Sequence, residues 1–287
     1  MTTYKGINGF AVQSVATDPS PLDEGQVWYN NATYAFKLAS LSTVGTWAAG
    51  GNLNTARAYA GAAGTQTAGL FFGGISYPSF YNVTESYNGT SWTTLPATMN
   101  TTRYGLGSAN AGTQTAALGF GGEGPGGPPT APTATESYNG TSWTSVNSLN
   151  TAKNYTSGFG TQGAAINFGN YPQAPTGVVE SWNGTSWTTV NSMSISRGAS
   201  SGCGVQTAGL AITGQIGPGA TIANVEGYNG TSWATYPNSS QAKDGNGATG
   251  TQAAALNIAG YNGGTLTSTE EWTASPFTTT SKTLTVS

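Results

Sequence analysis

The sequence predicts an all-β protein, a five-bladed β-propeller whose blades are four-stranded antiparallel sheets, with a short N-terminal β-hairpin extension. Three features recur in register along the chain: an aromatic residue, a glycine-rich block and a cation, each repeated about every 46 residues. Four short strands every 40–50 residues are the sequence pattern of a propeller blade. Five such periods predict five blades.

The aromatic residue ends an eight-residue motif, Glu-Ser-Tyr-Asn-Gly-Thr-Ser-Trp, which occurs twice unchanged and twice with one substitution. The aromatic positions are Trp47, Trp92, Trp143, Trp187, Trp233 and Phe277, and the Glu positions are Glu85, Glu136, Glu180, Glu226 and Glu270. In a propeller these large rings would fill the wedge between adjacent sheets. We therefore expect Trp143→Ala or Trp187→Ala to cost about 3–5 kcal/mol.

The glycine-rich block and the cation keep the same phase as the aromatic. The blocks span Gly64–Gly74, Gly112–Gly122, Gly160–Asn170, Gly204–Gly214 and Gly250–Gly260, and the cations are Arg57, Arg103, Lys153, Arg197 and Lys243. We expect each repeat Glu to pair with a cation or with backbone N–H groups at the blade edge. The alternative is a ring of charges around a ligand channel. Pairs exposed to solvent would contribute only about 0–1 kcal/mol each.

Each repeat is interpreted as four strands. The first follows the cation, and the glycine-rich block forms the second. Thr-Glu-Ser-Tyr forms the third, and Thr-Ser-Trp-Thr begins the fourth. Asn-Gly between the last two predicts a two-residue type I′ turn with positive φ at both residues. The sequence allows two ways for the propeller ring to close. Trp47 could belong to an extra outer strand, or residues 277–287 could complete the last blade alone.

Composition excludes several functions. The 287 residues contain no His, which removes imidazole triads, imidazole metal ligands and imidazole proton shuttles. The single cysteine, Cys203, excludes an internal disulfide and a cysteine-rich zinc site. Eight Lys and Arg residues cannot supply a basic stripe for nucleic acid. No apolar run is long enough to span a membrane, so we expect no membrane insertion. We also expect neither metal nor cofactor.

The repeat resembles the kelch motif. The Gly-Gly pair, the later Glu-x-Tyr, the Trp after a short turn and the downstream Arg follow in kelch order over about residues 47–287. The resemblance implies a kelch-like propeller. The sequence departs from the motif where Gly-Gly becomes Gly169-Asn170, Thr213-Gly214 or Ala259-Gly260, and where Lys replaces Arg twice.

Residues 1–45 lack the repeat and are assigned to a separate N-terminal segment, followed by the propeller over 46–287. Gly25–Leu38 predicts a strand, a polar turn and a second strand. Its Glu-Gly-Gln-Val-Trp-Tyr-Asn resembles a short β-hairpin module of tailed-phage fibre and other virion proteins; the alternative is an ordinary hairpin that caps the propeller. The resemblance implies that this segment attaches to other virion proteins or forms a homo-oligomer, and that the protein is located on the virion, at the tail or capsid surface.

An enzyme is the weaker interpretation. A sialidase-like site needs three Arg, and Arg57, Arg103 and Arg197 all occupy repeat positions. A glycosidase needs two carboxylates about 5–9.5 Å apart. The main propeller carboxylates outside the repeat Glu set are Glu123, Asp244 and Glu271, and the sequence singles out no pair of them.

The loops after the second strand vary between blades and predict a binding face. They bring together aromatic candidates for ligand binding: Tyr77, Phe80, Tyr81, Tyr171 and Tyr261. Aromatic rings beside Asn, Gln and Thr suit uncharged sugars; the alternative is that they pack their own loops. The sequence therefore predicts a non-enzymatic virion protein, a tail fibre or adhesin that binds host-surface glycan or a neighbouring virion subunit. The alternatives are a purely structural decoration protein and a glycan-active propeller enzyme.

Overall fold

The structure, a computed structural model, describes residues 4–5, 11–17, 27–32, 35–38, 50–126, 133–171 and 177–274. All regular structure in these residues is β-strand, and the chain divides into two compact units, Met1–Ala49 and Gly50–Ser287. Because none of the described residues is helical, none of them forms a helix that could span a membrane. Trp47 and residues 277–287, the two candidates for the closing strand, lie outside the described residues.

The N-terminal unit is a four-stranded mixed sheet. Its strands are β1 (Tyr4–Lys5), β2 (Ala11–Val15), β3 (Val27–Asn30) and β4 (Ala35–Leu38). The sheet has the order β1-β2-β3-β4, with β2 and β3 parallel and the other neighbours antiparallel. The predicted hairpin is thus the β3–β4 pair, which forms two strands of a larger sheet. At its turn Ala32 donates its backbone N–H to Asn30 Oδ1 at 3.0 Å.

The second unit is a five-bladed β-propeller with antiparallel blades. Blade 1 contains β5 (Gly61–Thr65), β6 (Ala68–Phe72), β9 (Thr84–Tyr87) and β10 (Trp92–Thr94), and a small hairpin, β7 (Ile75–Ser76) and β8 (Ser79–Phe80), follows β6. Blade 2 contains β11 (Gly107–Ser108), β12 (Ala117–Phe120), β13 (Thr135–Tyr138) and β14 (Trp143–Val146). Blade 3 contains β15 (Ser157–Thr161), β16 (Ala164–Phe168), β17 (Val179–Trp182) and β18 (Trp187–Val190). Blade 4 contains β19 (Ser201–Val205), β20 (Ala208–Gln215), β21 (Thr221–Tyr228) and β22 (Trp233–Tyr236). The described part of blade 5 contains β23 (Gly247–Gly250), β24 (Ala254–Tyr261) and β25 (Thr265–Thr273).

The core lies between the blades, where the repeat aromatics pack. Four apolar clusters each join residues of two successive blades. Trp143 of blade 2 packs on Phe72 of blade 1, with ring centroids 4.7 Å apart, and donates its indole N–H to Thr84 Oγ1 at 2.8 Å. Trp187 repeats the arrangement on Phe120 at 5.0 Å. Large rings thus occupy the wedge between sheets, and each indole N–H that is buried there keeps a hydrogen-bond partner.

Aliphatic side chains contribute more to this core than the composition predicts. Leu, Ile, Val and Phe make up only about 15% of the chain, but Leu70, Leu118, Ile166 and Leu210 are all buried. They occupy one position of the glycine-rich block, in the second strand of each blade. A small number of aliphatic residues is enough because every copy of that position faces the neighbouring blade.

The Asn-Gly turns differ from the predicted type I′ geometry. Trp92 pairs with Tyr87, so the loop between them has four residues rather than two. Gly89 has a φ of 91°, whereas Asn88 is outside the positive-φ region. The Asn88 side chain instead accepts the backbone N–H groups of Thr90 and Ser91, each at 2.9 Å. This Asx turn satisfies two loop donors, which explains why Asn precedes the Gly in every full copy.

Glutamine side chains connect the blades near the axis. Gln114 donates to the carbonyl oxygens of Gly69 at 3.1 Å and Tyr87 at 2.7 Å in the preceding blade. Three further residues repeat this bridge to the blade before them: Gln162, Gln206 and Gln252. The equivalent Gln66 of blade 1 is exposed to solvent. The invariant Gln of the glycine-rich block is therefore an inter-blade connector in blades 2 to 5.

Candidate ligand-binding rim

Buried ion pairs fix one end of the propeller. Each repeat cation lies beside the repeat Glu of its own blade, and the cation side chain is 0% exposed in all five pairs. The pairs are Arg57–Glu85, Arg103–Glu136 at 3.1 Å, Lys153–Glu180 at 3.8 Å, Arg197–Glu226 and Lys243–Glu270 at 3.4 Å. Because these charges are enclosed within the blades, they form no ring around an open channel. The expected pairing of each repeat Glu with a cation is present in all five blades, and the low value given for exposed pairs does not apply because the cations are enclosed.

Backbone groups complete each ion pair. Arg103 donates to the carbonyl oxygens of Gly121 at 2.9 Å and Ala134 at 2.6 Å. Burial lowers the pKa of Arg103 to about 10, against the opposing effect of Glu136. Burial also lowers the pKa of Lys153 to about 8, again opposed by its partner carboxylate. Both cations therefore remain charged at neutral pH, and each pair ties the start of its blade to the third strand, which carries the Glu.

Sequence reasoning missed the residue that anchors each Glu, which is Asn in blades 1 to 3 and Ser in blades 4 and 5. Asn100, three positions before Arg103, donates its backbone N–H to Glu136 Oε2 at 2.6 Å and its side-chain amide to the Trp143 carbonyl at 3.3 Å. Asn54 and Asn150 make the same two contacts in blades 1 and 3. The available signal was Asn-Thr-x-Arg or Asn-Thr-x-Lys at the blade junctions. Desolvation raises the pKa of Glu85, but the hydrogen bond from Arg57 and the backbone N–H groups of Asn54 and Thr55 outweigh it, so the pKa lies below its ordinary value.

The residue two positions after each cation is left-handed. These residues are Tyr59, Gly105, Tyr155, Ala199 and Gly245, with φ between 43° and 59°. They link consecutive blades, since Gly105 donates to the Tyr59 carbonyl at 2.8 Å and Ala199 donates to the Tyr155 carbonyl at 3.0 Å. A bulky residue is uncommon in this conformation. Two tyrosines nevertheless occupy it, which places Tyr59 and Tyr155 with ring centroids 5.5 Å apart.

Next to this ring of left-handed residues, each blade brings two variable positions together. The residue after the cation pairs by backbone hydrogen bonds with the residue after the Gly-Gly position. The five pairs are Ala58 with Ile75, Tyr104 with Glu123, Asn154 with Tyr171, Gly198 with Gln215, and Asp244 with Tyr261. We call these ten residues, together with Tyr59 and Tyr155, the rim. The rim contains tyrosines, amides and two carboxylates, and they lie at positions where the same backbone pairing recurs in every blade.

Three of the five predicted ligand-binding aromatics belong to one continuous cluster. Its neighbouring ring centroids are 5.5–6.5 Å apart, in the order Tyr77, Phe80, Tyr104, Tyr155 and Tyr171, with Tyr59 against both Tyr104 and Tyr155. Tyr77 is 80% exposed and Tyr59 55% exposed, so the cluster reaches solvent. Among the described aromatics, none makes a ring contact with Tyr81 or Tyr261. Tyr261 is half-exposed and lies elsewhere on the rim beside Asp244.

The polar groups of the rim are mostly buried and bonded to one another. Burial raises the pKa of Tyr104 and that of Tyr155 above their ordinary value, and hydrogen bonds join the Tyr155 hydroxyl to Tyr104 and the Tyr104 hydroxyl to Glu123. Burial also raises the pKa of Asp244, against a lowering effect of its hydrogen bond with Gln215. Within the described structure three buried amide oxygens have no hydrogen-bond partner: Asn154 Oδ1 and Gln215 Oε1 in the rim, and Asn167 Oδ1 on β16. A buried acceptor without a donor is costly, but the protein encloses these atoms, so a ligand reaches the two rim oxygens only if a neighbouring side chain moves.

The opposite end of the propeller carries a groove and an inter-blade hydrogen bond but few ionisable groups among its described residues. Blade 2 contains two extra residues between its cation and its Gln, and this insertion carries Asn110. Asn110 donates its side-chain amide to the Gly202 carbonyl of blade 4 at 2.6 Å, across the axis. A groove of 370 Å³ also lies at this end, lined by Val205, Ala208, Tyr236 and Gln252 among others. Its described lining contains no ionisable group except Tyr236, so it offers less chemistry than the rim.

The three carboxylates outside the ion pairs form no cluster. Glu123 and Asp244 belong to the rim of blades 2 and 5, and Glu271 is exposed on β25. The described residues contain no group of three acidic or cysteine side chains that could hold a metal ion. Cys203 is buried among Leu210, Ile212 and Ala255, and burial raises its pKa to about 12. It is therefore a core residue rather than a nucleophile.

The three repeat features thus have structural roles, and the variable positions between them form the rim. No protein-family model matches the chain, and no curated protein matches it in sequence. The five-bladed fold is established by the structure alone.

Proposed function

We propose that this chain is a non-enzymatic virion protein with kelch-like repeats, a tail-fibre or surface adhesin whose rim binds a saccharide on the host surface. The proposal depends on one observation: at the same end of the propeller, residues that are the same in every blade lie beside rim residues that differ between blades. All five blades keep the cation, the Glu and the left-handed residue. The adjoining pairs carry aromatic, amide, acidic and small side chains.

The chemistry of the rim favours a saccharide. Two exposed tyrosine rings, Tyr59 in the rim and Tyr77 in the aromatic cluster that adjoins it, provide flat apolar faces for the CH groups of a sugar ring. The hydroxyl of the half-exposed Tyr261 can donate to or accept from a sugar hydroxyl. Sites of this kind are mainly apolar, with a few placed polar groups that set orientation.

The N-terminal unit supports the virion assignment through its sequence. Its β3–β4 hairpin contains Val27–Asn30, within the segment that resembles a phage-fibre module. On this proposal the unit attaches the chain to other virion proteins, as a monomer or a homo-oligomer, and leaves the propeller to meet the host. The non-enzymatic assignment rests on the engagement of the repeat carboxylates: each of the five is held by a cation inside its blade.

A glycan array tests the proposal. The intact chain should bind a defined subset of saccharides, and Tyr59→Ala and Tyr77→Ala should each reduce the bound signal at least about tenfold. Both residues are more than half exposed, so thermal unfolding should shift little. Val205→Ala is the matched control, because Val205 is an exposed apolar residue (47%) at the opposite end. Equal losses in all three variants, or no saccharide bound by the intact chain, would contradict the proposal.

A further inference from the structure

The charges of the propeller are distributed unevenly between its interior and its surface. Residues 50–274 contain five cations and eight acids, all within the described part of the chain. Every one of the five cations is 0% exposed beside a repeat Glu. The three remaining carboxylates have no cation partner: Glu123, Asp244 and Glu271. The described propeller therefore has carboxylates outside its ion pairs but no cation outside them.

Two of these three carboxylates belong to the rim. Glu123 is bridged to Tyr104 and Asp244 is bridged to Tyr261 by backbone hydrogen bonds of 2.8–3.0 Å. Both residues are buried, at 7% and 9% exposure, so water screens them less than it screens a surface charge. An anion bound among the rim tyrosines would meet negative charge from blades 2 and 5 with no compensating Arg or Lys.

We infer that the rim selects uncharged saccharides and rejects those that carry carboxylate, sulfate or phosphate groups. This inference rests on the proposed function and adds the substrate class to it. Proteins that recognise such anions use Arg or Lys, often with bidentate geometry. Here the scaffold uses all five cations internally, and the rim provides hydroxyl donors, amides and aromatic faces. Uncharged ligands that are rich in hydroxyl groups can bind to hydroxyl, amide and aromatic side chains of this kind.

Paired saccharides test the inference. The affinity of the intact chain is measured for an uncharged oligosaccharide selected on the array and for the same oligosaccharide with a terminal sialic acid or uronic acid. We expect the acidic form to bind at least about tenfold more weakly in low salt, and the difference to shrink as ionic strength rises.

The double variant Glu123→Gln/Asp244→Asn should raise the ratio of acidic to neutral affinity about tenfold, whatever its effect on either affinity alone. Glu271→Gln is the matched control, since Glu271 is an exposed carboxylate on β25 outside the rim, and it should leave the ratio within about twofold. Equal or tighter binding of the acidic form by the intact chain, or an unchanged ratio in the double variant, would overturn the inference while saccharide binding stands. A chain that binds neither form overturns the proposed function and this inference together.

Discussion

The buried ion-pair positions and the rim positions are neighbours in the chain, but they follow different rules. The position of Arg103 is cationic in every blade, whereas the next residue is Ala, Tyr, Asn, Gly or Asp. The difference is one of partners, since Tyr104, Asn154 and Asp244 are also buried. A charge held between strands tolerates no change without its partner, whereas the residue after it pairs through its backbone, which any side chain allows. The propeller thus separates residues that maintain the fold from residues that are free to acquire a ligand.

The largest expected effect comes from breaking an ion pair. Arg103→Met should destabilise the chain by about 5 kcal/mol, because it leaves Glu136 charged and buried and removes the donors to Gly121 and Ala134. Urea denaturation measures this cost. The double variant Arg103→Met/Glu136→Leu should recover most of it. A cost below about 1 kcal/mol for the single variant would show that the scaffold does not depend on the pair.

The repeat tryptophans should differ according to their burial. Trp143→Ala should cost about 3–5 kcal/mol, since Trp143 is 5% exposed and packs on Phe72. Trp92→Ala should cost about half as much, because Trp92 is only partly buried. If both variants lost the same unfolding free energy in the denaturation experiment, burial between the blades would not be the reason why these rings stabilise the chain.

The inter-blade glutamines provide a smaller, matched comparison. Gln162→Ala should cost about 1–3 kcal/mol, because it leaves the buried carbonyl groups of Ala117 and Tyr138 without this donor. Gln66→Ala should cost less than about 0.5 kcal/mol, since Gln66 is exposed. Thermal unfolding of the two variants in parallel would show the difference, and a larger effect at Gln66 would contradict this role.

The smallest effects concern pH and have opposite signs in the scaffold and the rim. Desolvation raises the pKa of Glu270, but hydrogen bonds from Ser239 and Ser240 outweigh it and hold the pKa at about 2. Its stabilising contribution is therefore complete above the unfolded value of about 4.5 and is lost as pH falls from there toward 2. The stability of Glu270→Gln should fall less steeply than that of the intact chain over that range. If the unfolding free energies of the variant and the intact chain fell equally between pH 4.5 and pH 2, the lowered pKa of Glu270 would be refuted.

Asp244 in the rim should show the reverse behaviour. Burial raises its pKa above the ordinary 3.8, so the protonated form is favoured in the folded chain. Its contribution is present below the unfolded pKa and is lost as pH rises through the folded pKa. Asp244→Asn should therefore gain stability relative to the intact chain as pH increases through this interval. A difference in the unfolding free energy that stays constant with pH would exclude the raised pKa.

The sequence was sufficient for the architecture because the architecture is periodic. Repeated Trp, Glu and cation positions predicted five blades, and Trp143 and Trp187 lie between blades as expected. The Asn88 turn was predicted wrongly because a side chain, not the backbone, satisfies the loop donors. The depth of the ion pairs was also underestimated, since burial depends on strands that are distant in sequence.

The rim was only partly predictable. Loop length pointed to Tyr77, Phe80 and Tyr171, whose rings the structure places in one cluster. Tyr104 and Tyr155 were missed because they lie one and two positions after the cation, where the residue differs between blades. Their common environment arises from backbone pairing with the end of the second strand and from the left-handed position at Tyr155, and neither is visible in a single copy of the repeat.

The most direct measurement of the central claim is a crystal structure of the intact chain with a saccharide identified on the array. The account predicts electron density for a sugar ring stacked against Tyr59 or Tyr77. A saccharide bound instead in the groove beside Tyr236 and Gln252 at the opposite end would contradict it.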